Sequence, residues 1–175
     1  MTTTGPGSTL EDVETRPEGR HGLWARRVIL AALTLFVGAG VLGLLGVRTA
    51  TTSESADGYT VTLEHATIAR AGLDVPFTVT VTHEGGFDAP VVLAVTGDYF
   101  DIFETQGFTP EPSAEVRDGD LLYLTFDPPE GDTFRWSYDA YIQPSSQQGR
   151  SGEVSLMTSS GYERITIPFR TRLLP

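Results

Sequence analysis

Twenty consecutive uncharged residues, Val28 to Val47 (VILAALTLFVGAGVLGLLGV), constrain this chain more than anything else in it. At about 1.5 Å per residue, a helix of that length reaches about 30 Å, the hydrocarbon thickness of a bilayer. Thr34 is its one polar side chain. Arg26 and Arg27 precede the run, Arg48 follows it, and Trp24 stands where an interfacial aromatic would. The pattern predicts a transmembrane helix over 28–47, with the lipid bilayer as its partner. A cleaved signal peptide, with Arg26-Arg27 as a twin-arginine pair, is the rival reading. The run is longer than an ordinary signal core of about 7–15 residues, and Arg48 stands where cleavage after Ala50 needs a small residue. The anchor is therefore preferred.

Orientation follows from the arginines near the ends of the run. Arg16, Arg20, Arg26 and Arg27 lie before it, whereas Arg48 stands alone after it until Arg70. Positive charge stays cytoplasmic, so the amino terminus is expected inside and the carboxy-terminal domain outside the cell membrane. Residues 49–175 carry 7 arginines and 19 carboxylates, a net charge of -12, out of -11 for the whole chain of 175 residues. Within the run, Ala39 and Gly43 form a small-xxx-small pair, and Gly40, Gly43 and Gly46 recur every three residues. Such a strip suits close approach of another helix, either from a polytopic membrane protein or from a second copy.

The missing residue types exclude whole classes of chemistry. All 12 basic residues are arginine, so a P-loop, a Schiff-base lysine and a Ser-Lys nucleophile are absent. There is no cysteine, which removes disulfides, thiolate zinc sites and iron-sulfur clusters. The acidic balance argues against nucleic acid as a partner. No cofactor motif is present.

Along the chain, residues 1–27 read as a disordered cytoplasmic tail and 48–57 as a polar linker. From Tyr59 the period becomes two, the strand signal. Tyr59, Val61 and Leu63 alternate with Thr60, Thr62 and Glu64, and Phe77, Val79 and Val81 with Thr78, Thr80 and Thr82. Val91–Thr96 is a continuous apolar run, and Asp98–Glu104 reads as a single helical turn. Asp118-Gly119 marks a hairpin before Leu121–Phe126. Phe134, Trp136, Tyr138, Ala140 and Ile142 then alternate with polar positions, Phe134 and Trp136 being the best core anchors. Val154–Thr158, a turn near Gly161 and a final strand from Ile165 to about Leu173 follow. Pro168 puts that last strand at an edge or a bulge. Seven or eight short strands over 58–175 predict an all-β, immunoglobulin-like β-sandwich, extracytoplasmic, after one transmembrane helix, with a cupredoxin-like or jelly-roll topology as the alternatives.

The segments LWARRVILAALTLFVGAGVLGLLGVRTAT, GLDVPFTVTV, GGFDAPVVLAV, FDPPEGDTF and FRTRLLP together resemble a family of actinobacterial single-pass membrane proteins with an exported sandwich domain. What the resemblance implies is topology, since no activity or catalytic residue comes with it.

Residues that could carry chemistry form no convincing set. His65 and His83 sit at predicted strand ends and lack the cysteine a blue-copper site needs. Asp118 and Asp120 are separated from Asp127, Glu130 and Asp132 by a strand of about 20 Å, too far to share one calcium ion. No G-x-S-x-G elbow is present. Tyr99, Phe100, Phe103 and Phe108 could form an aromatic binding platform, and Tyr123 and Tyr141 an exposed patch on the faces away from the core. The expectation is a membrane-anchored, non-catalytic interaction module contacting another membrane or envelope protein. The alternatives are a solute- or envelope-polymer-binding module and, third, a hydrolase.

The orientation is testable because the chain has no cysteine of its own. In intact cells a membrane-impermeant maleimide is expected to label Ser145→Cys and to spare Ser8→Cys until the membrane is permeabilised; the reverse pattern would overturn the assignment.

Overall fold

The computed structural model describes residues 20–43, 46–104, 107–157 and 162–174. Residues 1–19 of the expected tail, the expected turn near Gly161 and the end of its preceding strand at Thr158 lie outside the described residues. Two compact units divide at Leu45/Gly46.

The first unit contributes one helix, α1 (Arg20–Val41), rather than the span expected over 28–47. It starts earlier because nothing between Arg20 and Arg27 breaks a helix, and it ends earlier because Gly43 does. Gly43 takes a left-handed φ of 69°, and its N–H donates to the Gly40 carbonyl at 3.0 Å, a glycine-closed end. Ala39 and Gly40 therefore lie in the last turn, whereas Gly43 and Gly46 fall beyond the helix, and the four do not share one helical face. Thr34 donates its hydroxyl to the Leu30 carbonyl at 2.8 Å, so the polar side chain inside the apolar run is satisfied within the helix. No residue of α1 is buried, and Trp24, Ile29, Leu35 and Phe36 are all at least 65 % exposed. From Val28 onward the helix carries no charged residue, and α1 is long and apolar enough to cross a bilayer.

The second unit is the expected sandwich of two antiparallel sheets. Its strands are β1 (Arg48–Ala56), β2 (Tyr59–Arg70), β3 (Asp74–Val75), β4 (Phe77–His83), β5 (Val91–Thr96), β6 (Phe108–Thr109) and β7 (Ala114–Asp118). They continue with β8 (Leu121–Phe126), β9 (Thr133–Tyr138), β10 (Ala140–Tyr141), β11 (Ser151–Met157), β12 (Glu163–Arg170) and β13 (Arg172–Leu174). The first sheet runs β1-β2-β4-β9-β6, with β13 parallel to the end of β2; the second runs β12-β11-β5-β8-β7. A two-stranded ribbon pairs β3 with β10.

The expected linker is in fact β1, which pairs along its whole length with β2. Its composition looks like a linker because it is an edge strand with a solvated outer face. Ser53 and Ser55 share hydrogen bonds of 2.8 Å with Thr62 and Thr60 across that face. Asp57 and Gly58, both with positive φ, make the two-residue turn that folds β1 back onto β2. Elsewhere alternation and structure agree: Phe134, Trp136, Tyr138, Ala140 and Ile142 are buried and the residues between them are not. Pro168 lies exposed on β12, the edge strand of the second sheet. The expected helical turn is a 3-10 turn, Gly97–Ile102.

The core is built from Val, Leu and Ile of both sheets around an aromatic cluster centred on Phe77, Tyr99, Trp136 and Phe169. Tyr99 and Thr171, both at most 1 % exposed, share a hydrogen bond of 2.9 Å, and Thr171 donates to the Ala66 carbonyl. The loop after β10 closes over this point at Gly149. A Cβ there would strike the Thr171 carbonyl oxygen and come within 2.8 Å of the Arg172 Cα. Both are backbone, which cannot swing aside. Gly149→Ala is expected to cost at least about 2 kcal/mol in urea unfolding of the full chain in detergent. Gly107→Ala, with no atom within 4 Å, is expected to stay within about 0.5 kcal/mol of the parent.

Candidate functional site

Strand parity opens the sandwich along one side. On β7, Glu115 is registered opposite Leu124 and Arg117 opposite Leu122. Leu122 and Leu124 face the core, so Glu115 and Arg117 point into the space between the sheets. An edge strand with charged residues on its inner face cannot close against the opposing sheet. The opposing edge is β6, whose Phe108 pairs with Tyr138 of β9. Between these edges lies a mouth of about 810 Å³.

Its floor is aromatic. The 3-10 turn leads into Phe100 and Phe103, and both rings meet Tyr138 at centroid distances of 4.9 and 5.7 Å. Phe108 lies 6.0 Å from Phe100 and 5.5 Å from Trp136. The rim is polar, with Asp101, Glu111, Glu115, Arg117 and Gln143. Arg117 is held in the wall by an ion pair of 2.6 Å to Asp98, its guanidinium lying where a Gly97 Cβ would be 3.2 Å away. Gln143 is likewise fixed, donating to the Phe103 carbonyl at 2.6 Å.

The structure thus gathers part of the expected platform and separates the rest. Phe100 and Phe108 are half-buried and line the mouth. Phe103 lines it too, but is 3 % exposed. Tyr99, at 1 % exposed, is a core residue and not a surface one, because Thr171 satisfies its hydroxyl and frees the whole ring to turn inward. Burial pushes its phenol up to about 12, against the opposing effect of that hydrogen bond. Tyr123 lies half-buried on the outer face of the second sheet beside Val116. Tyr141 lies on the β3–β10 ribbon, its hydroxyl over Gly72. Neither lines the mouth. Glu111, Glu115 and Arg117 are the residues that alternation did not single out.

A second cleft of about 850 Å³ opens at the β1–β2 turn. There the Tyr59 and His83 rings stack at 3.9 Å and 2°, and the Arg164 guanidinium lies over Tyr59 at 4.2 Å. The imidazole already covers one face of the phenol at that distance, so the guanidinium takes the other. His83 donates from Nδ1 to the Gly58 carbonyl at 3.0 Å. These contacts join the two sheets. The outer face of the first sheet carries Thr and Ser in cross-strand rows, such as Ser55, Thr60, Thr82 and Thr133. Threonine combines strand propensity with a solvated hydroxyl, as a water-facing sheet requires. Among the described residues no group of three or more His, Cys, Asp or Glu is arranged to hold a metal ion.

His65 is 4 % exposed on β2 and packs 5.5 Å from Phe169, with its Nδ1 unpartnered. Desolvation holds its pKa below the ordinary 6.5, partly opposed by a hydrogen bond to the Arg170 backbone. The folded state therefore disfavours the proton that the unfolded chain accepts. Stability from this group is complete above about pH 6.5 and falls as the pH drops toward the lowered folded value. The melting temperature is expected to decrease between pH 7.5 and pH 5, with a smaller decrease in His65→Phe. An equal slope in both would show that His65 does not titrate on unfolding.

No protein-family model matches this chain and no curated protein is similar to it, so the chemistry of the mouth carries the functional reading.

Proposed function

We propose that this chain is a single-pass membrane protein with its amino terminus in the cytoplasm, and that its exported sandwich is a non-catalytic module that holds a segment of another membrane or envelope protein. The observation that carries this reading is the mouth between β6 and β7, an aromatic floor under a charged rim. Clefts with apolar walls and a few placed polar groups are the usual form of a binding site. The arginines before α1 and the net charge of -12 after Arg48 support the topology. Residues 42–47 are all that separates α1 from β1 along the chain. Ala39 and Gly40, in the last turn of α1, are the small residues left for packing on a neighbouring helix. An envelope polymer as ligand is the second reading, favoured by the hydroxyl rows on the first sheet.

Site-specific photocrosslinking in living cells tests the proposal. A photoreactive residue in place of Thr109 or Glu115 is expected to give a discrete protein adduct, and one in place of Thr80, on the hydroxyl face, to give none. Adducts from Thr80 alone, or from no position, would overturn it.

A further inference from the structure

The mouth has a charge pattern more specific than its shape. Its lining holds three carboxylates, Asp101, Glu111 and Glu115, against one guanidinium, Arg117. That guanidinium is already bound at 2.6 Å by a fourth carboxylate, Asp98. Asp101 has a loose neighbour in Arg150 at 3.9 Å, and among the described residues no ion pair holds Glu111 or Glu115. Glu111 and Glu115 therefore have no ion-pair partner among the described residues, and they line the same cleft as half-buried Phe100 and Phe108.

Apolar rings beneath unpaired carboxylates are complementary to one kind of side chain: a cationic head on an apolar stem. The stem lies along the rings, the ring faces attract the cation, and the carboxylates bind it. We infer that the mouth receives an arginine or lysine side chain from an extended segment of a partner polypeptide. This rests on the reading of the mouth as a protein-binding site, and names the chemistry of what it binds.

The flanking edges favour an extended segment as the carrier. β6 and β7 end their sheets, so among the described residues each has one side without a strand partner. A second copy of this chain does not fit as the occupant. Its own β7 would bring a second Glu115 against the first, between domains each carrying -12.

The probe is the peptide acetyl-Gly-Val-Arg-Val-Gly-amide, titrated calorimetrically into the full chain in nanodiscs of zwitterionic lipid, which removes any attraction of the peptide to anionic headgroups. Its citrulline counterpart keeps the shape without the charge, and spermidine supplies the charge without the segment. The arginine peptide is expected to bind at least about tenfold more tightly than either, and to weaken as salt rises from 50 to 500 mM. The double variant Glu111→Gln/Glu115→Gln is expected to remove about tenfold of that affinity at an unchanged melting temperature, since both side chains are exposed. Equal binding of arginine and citrulline peptides would overturn the cation inference and leave a peptide site. Spermidine binding as tightly as the arginine peptide would overturn the extended segment as carrier. Absence of all binding, with crosslinks at Thr109 and Glu115 intact, would overturn the inference alone. Loss of both would overturn the proposed function with it.

Discussion

Three aromatic rings from three places in the chain hold the two sheets together. Phe77 of the first sheet, Phe169 of the second and Tyr99 of the 3-10 turn meet pairwise at 5.3, 4.6 and 5.3 Å. Each aromatic pair contributes about 0.5–1.5 kcal/mol beyond its burial, so three are comparable with the roughly 2–4 kcal/mol of a disulfide, which this cysteine-free chain cannot form. The hydrogen bonds from Tyr99 to Thr171 and from Thr171 to Ala66 fix the turn in place as well as in depth. With the turn fixed, Phe100 and Phe103 have one place to go, the floor of the mouth.

The two long sides of the sandwich are finished differently. On one, Arg164 of β12 reaches across to Tyr59 of β2 and to Asp57 at 3.8 Å, linking the sheets at the β1–β2 turn. On the other, β6 and β7 present Phe108 against Glu115 and Arg117, an apolar residue facing charges that cannot be buried with it. Desolvating unpaired carboxylates costs more than covering one ring would return. The open side is thus a consequence of side-chain chemistry, a gap that packing could not fill.

Much of this was legible in the sequence because period two is a strong signal where a strand has one wet face. The Phe-Arg-Trp-Ser-Tyr of β9 translates directly into alternating burial, whereas in β4 the valines are buried and Thr80 and Thr82 are half-buried but Thr78 is buried too. β1 escaped notice because neither of its faces carries a large apolar residue, although Asp57-Gly58 is the same turn signal as Asp118-Gly119. The end of α1 escaped because hydropathy counts Leu42–Val47 as membrane while a single glycine conformation at 43 stops the helix. Tyr99 looked like a surface ring because nothing local says that Thr171 waits for its hydroxyl. The mouth is the least legible feature, assembled from positions 100, 108, 111 and 115 that only the fold brings together. Its one trace is Ala-Glu-Val-Arg-Asp, a strand whose inward positions are charged.

The register of β2 also governs how the domain bears load. Arg48 and Arg172 are both registered on Ile68, one antiparallel and the other parallel. A residue has two strand edges, so the domain's entry and its last strand flank the same point, about 9–10 Å apart. Tension drawn between those two positions passes through a few hydrogen bonds beside Ile68, and the aromatic centre is bypassed. A pull between those two positions therefore loads one short stretch of β2 and leaves the contacts among Phe77, Tyr99 and Phe169 unstrained, a mechanical short circuit built into the register.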